Sequence, residues 1–288
     1  QGMGSNAQIT NNYFTTHTAG LNMGQLTNPT INGNKFENMY LGFQIGTVGG
    51  TASGNTFTNI TGDSWARAID LFGGQWGTYV CNGLEVTGNT ITNCDGPGIY
   101  VRGGVDGATI TGNTVTNCNR GIHVRVSGGI GTLPPTNTIA NNAIAGTGTA
   151  GFMVEGITGP VTEIDLGSTT ISAGYTDFVR LTDTPVDIDA TGTNLSSYGT
   201  NQQIEDKVWH DVDDAALGHV DWGQGAASAT TLVANDASGQ SGTGVQLVAR
   251  LTCGGAPLVG KPVSFKVGAT SAGTGTTDGN GIATVVYN

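Results

Sequence analysis

Apolar residues along this chain fall in short alternating runs, and the runs return at a regular interval. Gly88–Cys94 reads Gly-Asn-Thr-Ile-Thr-Asn-Cys, and Gly112–Cys118 repeats it with Val for Ile. Related stretches lie at Gly33–Asn38 and Gly54–Asn59, with weaker copies at Asn11–Phe14 and Asn141–Ile144. A second alternating triplet follows most copies, as in Phe43-Gln-Ile45, Ile69-Asp-Leu71, Ile99-Tyr-Val101, Ile122-His-Val124 and Phe152-Met-Val154. Two short strands in each interval of roughly 21 to 34 residues predict a solenoid in which each coil pairs with the coils above and below.

Taken in order, coils are predicted over 1–30, 31–52, 53–86, 87–110, 111–138, 139–165 and, in degenerate form, 168–190. Such strands pair in parallel, and about seven coils at ~4.8 Å each make a column of roughly 35 Å. Asn12, Asn34, Asn55, Asn89, Asn113 and Asn142 then stack at one corner, and Asn38, Asn59, Asn93 and Asn117 at another. Amides in register can hydrogen-bond along the stack and satisfy turn groups that would otherwise be buried unpaired. The coil over 53–86 carries surplus residues at 72–79, an excursion that displays Phe72, Trp76 and Tyr79, and Pro134-Pro135 marks a second one. Nothing ahead of Ile9 covers the first coil, which implies a longer chain or a partner at that end.

The alternation fades over 191–225. There Asn201 is the expected cap of a short amphipathic helix carrying Ile204, Val208 and Val212 or Trp209 on one face, lying across the last coil. Helical spacing would set His210 and Asp214 side by side within an acidic cluster that includes Asp211, Asp213 and His219. Charges at a helix end are ordinary, so no metal site is assigned. Alternation resumes over 226–288 with Gly/Asp turns, which predicts an antiparallel sandwich.

Composition agrees with many short strands and tight turns: 49 Gly, and only 11% charged residues. A net charge of −11 argues against nucleic acid or an anionic membrane as partner. No apolar run is long enough to span a bilayer, and a chain beginning at Gln reads as a processed or excised segment. The four cysteines show no C-x-x-C spacing. Cys94 and Cys118 occupy equivalent positions one coil apart, which suits either a disulfide or two stacked thiols.

The Gly-Asn-Thr-x-Thr-Asn and Gly-Ile-x-Val pattern resembles the right-handed parallel β-helix of the pectate-lyase-like superfamily over about residues 6–190. Pro257–Tyr287 resembles a bacterial immunoglobulin-like domain of the invasin/intimin type. The resemblances imply an all-β protein: a parallel β-helix over 1–190, a capping segment over 191–225, and over 226–288 a sandwich lacking its last strand. They also imply export to the cell surface or beyond.

Candidate chemistry lies on the residues between the inward ones. Stacking the coils gives a file of Asp70, Tyr100, His123 and Met153, expected to point outward, beside Phe72, Arg102, Arg125 and Glu155. Arg102 and Arg125 beside His123 and Asp70 could grip a uronate carboxylate and assist proton abstraction. The same files also read as a charged solvent face in which Arg125 and Glu155 merely pair. A lyase of the superfamily would need several close carboxylates for calcium. Only Asp63 and Asp95 stack, so calcium enters as a weak candidate. The Asn-Thr-Asp, Asp-Asp and Gly-His-Gly motifs of a polygalacturonase-like hydrolase are missing. Phe72, Trp76, Tyr79, Tyr100 and Glu155 stand as candidate sugar contacts, and Asn34, Asn55, Asn89, Asn113, Asn142, Cys94 and Cys118 as structural residues. The expectation is a secreted or cell-surface structural or adhesive protein, self-associating or joined to neighbouring domains, and a candidate subunit of an extracellular polymer (filament, sheath or surface layer) joined by strand or end-to-end complementation. A polysaccharide-binding or lyase-like protein is the alternative.

Overall fold

The computed structural model describes residues 4–16, 18–73, 80–126, 137–157, 163–195, 200–223, 230–240, 242–253 and 256–288. Trp76, Tyr79 and Pro134-Pro135 lie outside them. The chain divides into two compact units, Gln1–Gln224 and Gly225–Asn288.

The first unit is a parallel β-solenoid. Each regular coil has three strands where the alternation suggested two. The additional one is a tripeptide such as Thr30–Asn32, Glu85–Thr87 or Thr109–Thr111, and these tripeptides stack into a six-stranded sheet. The central residue of each points inward, and Ile31, Ala52, Val86, Ile110 and Ile139 are buried there, with Ile9 half-buried at the first coil. A run with one inward side chain has no period to detect. The other two strands of each coil build a 15-stranded sheet, in which Thr90–Arg102 and Thr114–Arg125 run through both positions as single long strands.

The corner asparagines do what the repeat requires. Asn34, Asn55, Asn89, Asn113 and Asn142 are buried. The Oδ1 of Asn89 accepts from the backbone N–H of Asn55 at 3.0 Å and from its amide at 2.9 Å, while the Asn89 amide also reaches the Ala52 carbonyl at 2.9 Å. The same pattern joins Asn12 to Asn34, Asn34 to Asn55, and Asn113 to Asn142. It ends where Asn142 N–H donates to the Thr169 hydroxyl at 3.2 Å. Asn38, Asn59, Asn93 and Asn117 form the outer file, all with φ between 53° and 61°, a left-handed conformation that asparagine tolerates. Inside, the rings of Phe14, Phe36 and Phe57 stack at 4.8 and 4.7 Å. Cys94 pairs with Cys118 in register, and both thiols are free and buried. Their mutual hydrogen bond, and then burial, hold the Cys118 thiol well above its ordinary range. Burial pushes Cys81 up to about 12.

The closing segment is more strand-like than its composition suggests. The helix covers only Asn201–Glu205, and its cap is Thr200, locked by a reciprocal capping box with Gln203. Ile204 is buried. Val208 does not share its helical face; Val208–Trp209 is a strand that pairs with Tyr175–Thr182, while Val212 is exposed. Val220–Asp221 pairs with Ile188–Asp189 in a third, three-stranded sheet. The column is therefore extended by backbone pairing through this segment, with the short helix as a connector.

The second unit has two antiparallel sheets. Val245–Cys253 pairs with Thr230–Ala234, Ala256–Pro257 and Ile282–Tyr287, and Pro262–Val267 pairs with Thr270–Thr276. Its core is small, centred on Ala249, Val263, Phe265 and Ala283.

Candidate functional site

Three neighbouring coils place Asp70, Tyr100 and His123 in one register, with Met153 next, as the repeat implied. Arg102, Arg125 and Glu155 form the adjoining file. The expectation of a solvent-facing row fails for most of them: Asp70 and His123 are 0% exposed and Tyr100 is 6% exposed. What covers them is an insertion. The register aligns Met39 with Ile60 and Leu41 with Arg67, so Tyr40 in one coil is answered by residues 61–66 in the next. Those extra residues carry Trp65 over the face. The Trp65 ring takes the guanidinium groups of Arg120 and Arg125 at 5.0 and 4.9 Å and meets the Tyr100 ring edge-on at 6.1 Å. Arg120 also donates to the Ser64 carbonyl, which pins the insertion.

Beneath this roof Asp70 is fully paired. Arg67 Nε donates to it at 2.6 Å, Arg102 Nε at 2.8 Å and Gln44 at 3.0 Å, and Arg102 closes a bidentate clamp through its Nη2. Arg67 and Arg102 in turn lie 5.8 and 5.4 Å from the Tyr100 ring. His123 Nε2 is 3.1 Å from Glu155, whose other oxygen is 3.1 Å from Arg125. Burial holds His123 below the ordinary imidazole range, opposed in part by Glu155. The hydrogen bond with His123 draws Glu155 below the usual carboxylate range. His123 Nδ1 is buried and has no hydrogen-bond partner among the described residues.

The result is an open cleft of about 240 Å³ lined by Trp65, Arg67, Tyr100, Arg102 and Arg125. Trp65 and Arg67 carry one signal in the sequence, the stretched Ile60–Arg67 interval; Arg120, on the strand Thr114–Arg125, carries none. Phe72 does not belong to the cleft: it is buried, and a Cβ placed on Gly46 would meet its ring and carbonyl, so it seals the coil below. Asp63 and Asp95 are drawn into local bonds, Asp63 with Tyr40 and the Trp65 N–H, Asp95 with the Gly62 N–H. They do not form a joint cation cage. The helical juxtaposition of His210 and Asp214 is replaced by a turn, where Asp213 and Asp214 N–H both reach the His210 carbonyl.

The architecture is that of a parallel β-helix protein. A family model described as periplasmic copper-binding protein (NosD) matches residues 5–161, more than half of the chain, and the chain belongs to that family. The description agrees, coarsely, with a location outside the cytoplasm; no helix among the described residues is long and apolar enough to cross a membrane. No curated protein matches the sequence. Among solved structures, a double mutant of the tailspike protein of E. coli bacteriophage HK620 is similar, with 15% identity and a TM-score of 0.38. The similarity covers 99% of this chain and 53% of the tailspike, so the chain spans about half that protein's length.

Proposed function

We propose that this is an exported, non-catalytic β-helix protein that binds acidic glycans through the Trp65–Arg125 cleft. One observation carries the reading: four of the chain's six arginines converge on a single wall of an otherwise acidic protein, interleaved with Trp65 and Tyr100. Asp70 and Glu155 neutralise only part of that charge. Planar guanidinium groups suit carboxylate or sulfate oxygens, and an exposed indole edge suits the apolar face of a sugar ring. Turnover is disfavoured by burial. Asp70 is locked between two arginines and His123 is sealed off, so neither can exchange a proton with a bound substrate. The β-helix supplies a rigid platform for this wall, and the second unit serves as an immunoglobulin-like spacer.

The copper in the family's description does not find a cage among the described residues of the matched coils. Among the described residues of 5–161, no three His, Cys, Asp or Glu side chains bring ligand atoms together. The buried thiols of Cys81, Cys94 and Cys118 serve the core.

Calorimetric titration with polygalacturonate, alginate and a sulfated glycan, with dextran as the neutral control, tests the proposal. Binding of an acidic polymer but not dextran is expected, with no unsaturated product released. Arg125→Ala and Trp65→Ala should each weaken binding at least tenfold. Absence of binding to all three acidic polymers, or binding indifferent to both substitutions, overturns it.

A further inference from the structure

The last coil brings together a set of side chains that the glycan cleft does not involve. His210 directly follows the strand Val208–Trp209, and His219 directly precedes the strand Val220–Asp221; both strands are paired to the preceding coil. Asp211 N–H donates to the Gly218 carbonyl at 3.1 Å and ties the two segments to each other. His210 Nδ1 and His219 Nδ1 then face the same oxygen, Asp211 Oδ1, at 2.7 and 3.1 Å. These ligand atoms all lie within 4.8 Å of one another.

The far side of His210 decides what the near side can do. Its Nε2 lies 2.9 Å from Glu205 Oε1, and Glu205 is itself fixed by the Trp222 indole N–H at 2.8 Å. Glu205 thereby fixes the ring so that Nδ1, which also lies 3.4 Å from the Val220 backbone nitrogen, faces Asp211; an outer-sphere carboxylate of this kind orients metal-binding imidazoles. A buried imidazole nitrogen, a carboxylate oxygen and a second imidazole nitrogen thus converge on one point. Bonds of about 2.0–2.2 Å to nitrogen and oxygen require the ligand atoms to stand slightly further apart. Asp211 and His219 can supply that movement, being 40% and 58% exposed, whereas His210 at 2% is held.

We infer that His210, Asp211 and His219 form a binding site for a divalent transition metal ion. Two imidazoles and one carboxylate suit copper(II) or zinc and do not suit calcium or magnesium. The open side at His219 leaves a coordination position for water or a further ligand. The site lies outside the residues matched by the family model and joins the two strands that close the column, so an ion there would clamp its end.

Titration of the chelator-treated full chain with copper(II) and, separately, zinc(II) tests this. One equivalent should bind with a micromolar or tighter Kd, calcium should not compete, and the thermal midpoint should rise. His219→Ala, an exposed position unlinked to the core, should weaken binding at least tenfold, as should the near-isosteric Asp211→Asn. The copper(II) spectrum should lose one of two imidazole nitrogen couplings in His219→Ala. No saturable binding, or an affinity and spectrum unmoved by His219→Ala, overturns the inference. Neither result bears on the glycan cleft, whose titrations are run in chelator.

Discussion

Two files of polar side chains run through the same solenoid and meet opposite fates. The asparagine file is uniform: each member takes the donors of the coil before and presents its own donors to the coil after. The file of Asp70, Tyr100, His123 and Met153 changes residue at every coil, so its members cannot satisfy one another by repetition. They recruit neighbours instead: Arg67 and Arg102 for Asp70, Glu155 for His123, and Trp65 as a roof. Repetition makes a self-sufficient ladder; its interruption makes a wall that needs long charged side chains and is left with a cleft. The buried Nδ1 of His123, without a hydrogen-bond partner among the described residues, marks where the second solution is incomplete.

The comparison is broken most directly at Asn89. Its replacement by Ala takes the acceptor from the buried backbone N–H of Asn55, removes one of the two bonds of the Asn55 amide, which keeps the Ile31 carbonyl, and removes the amide donor from the Ala52 carbonyl; it should cost on the order of 4 kcal/mol in chemical denaturation. Asp70→Ala should cost about 3 kcal/mol, at the low end for a broken buried pair, because Arg67 and Arg102 retain 14% and 16% exposure and can turn outward. A cost for Asp70→Ala well above that of Asn89→Ala would reverse the ranking of the two files.

Acidity should act on the irregular file and spare the regular one. His123 is held below its ordinary pKa by burial, so as pH falls through about 6.5 the unfolded chain takes up a proton that the folded chain refuses. Stability present above that pH is lost below it. Glu155, held low by its hydrogen bond to His123, adds a further loss as pH drops through the carboxylate range. The thermal midpoint should therefore decline from pH 7 to pH 4, and His123→Gln should flatten the upper part of the decline; an unchanged slope would refute the assignment. The smallest effect is expected at the exposed end of the ladder, where Asn12→Ala should cost less than about 1 kcal/mol.

Sequence alone determined whatever depends on period. The coil positions, their parallel stacking, the buried asparagine file, the outer asparagine file and the alignment of Asp70 with Tyr100 and His123 all follow once Gly-Asn-Thr-x-Thr-Asn is seen to return. The tripeptide strands escaped because one inward residue shows no alternation. The closing helix stops at Glu205, short of its apolar period, because Val208 and Trp209 satisfy a helical face as well as a strand, and only pairing with Tyr175–Thr182 chooses between them.

Tertiary structure alone decided whether an outward residue meets solvent. Period-2 alternation tells which side of the sheet a residue occupies, but not what lies above it. The roof that Trp65 and the arginines make over Asp70 and His123 is held by contacts between distant coils, such as that of Arg120 with Ser64, 56 residues apart in sequence. His210, Asp211 and His219 likewise meet because two strands lock into the last coil, a distance that no local spacing encodes.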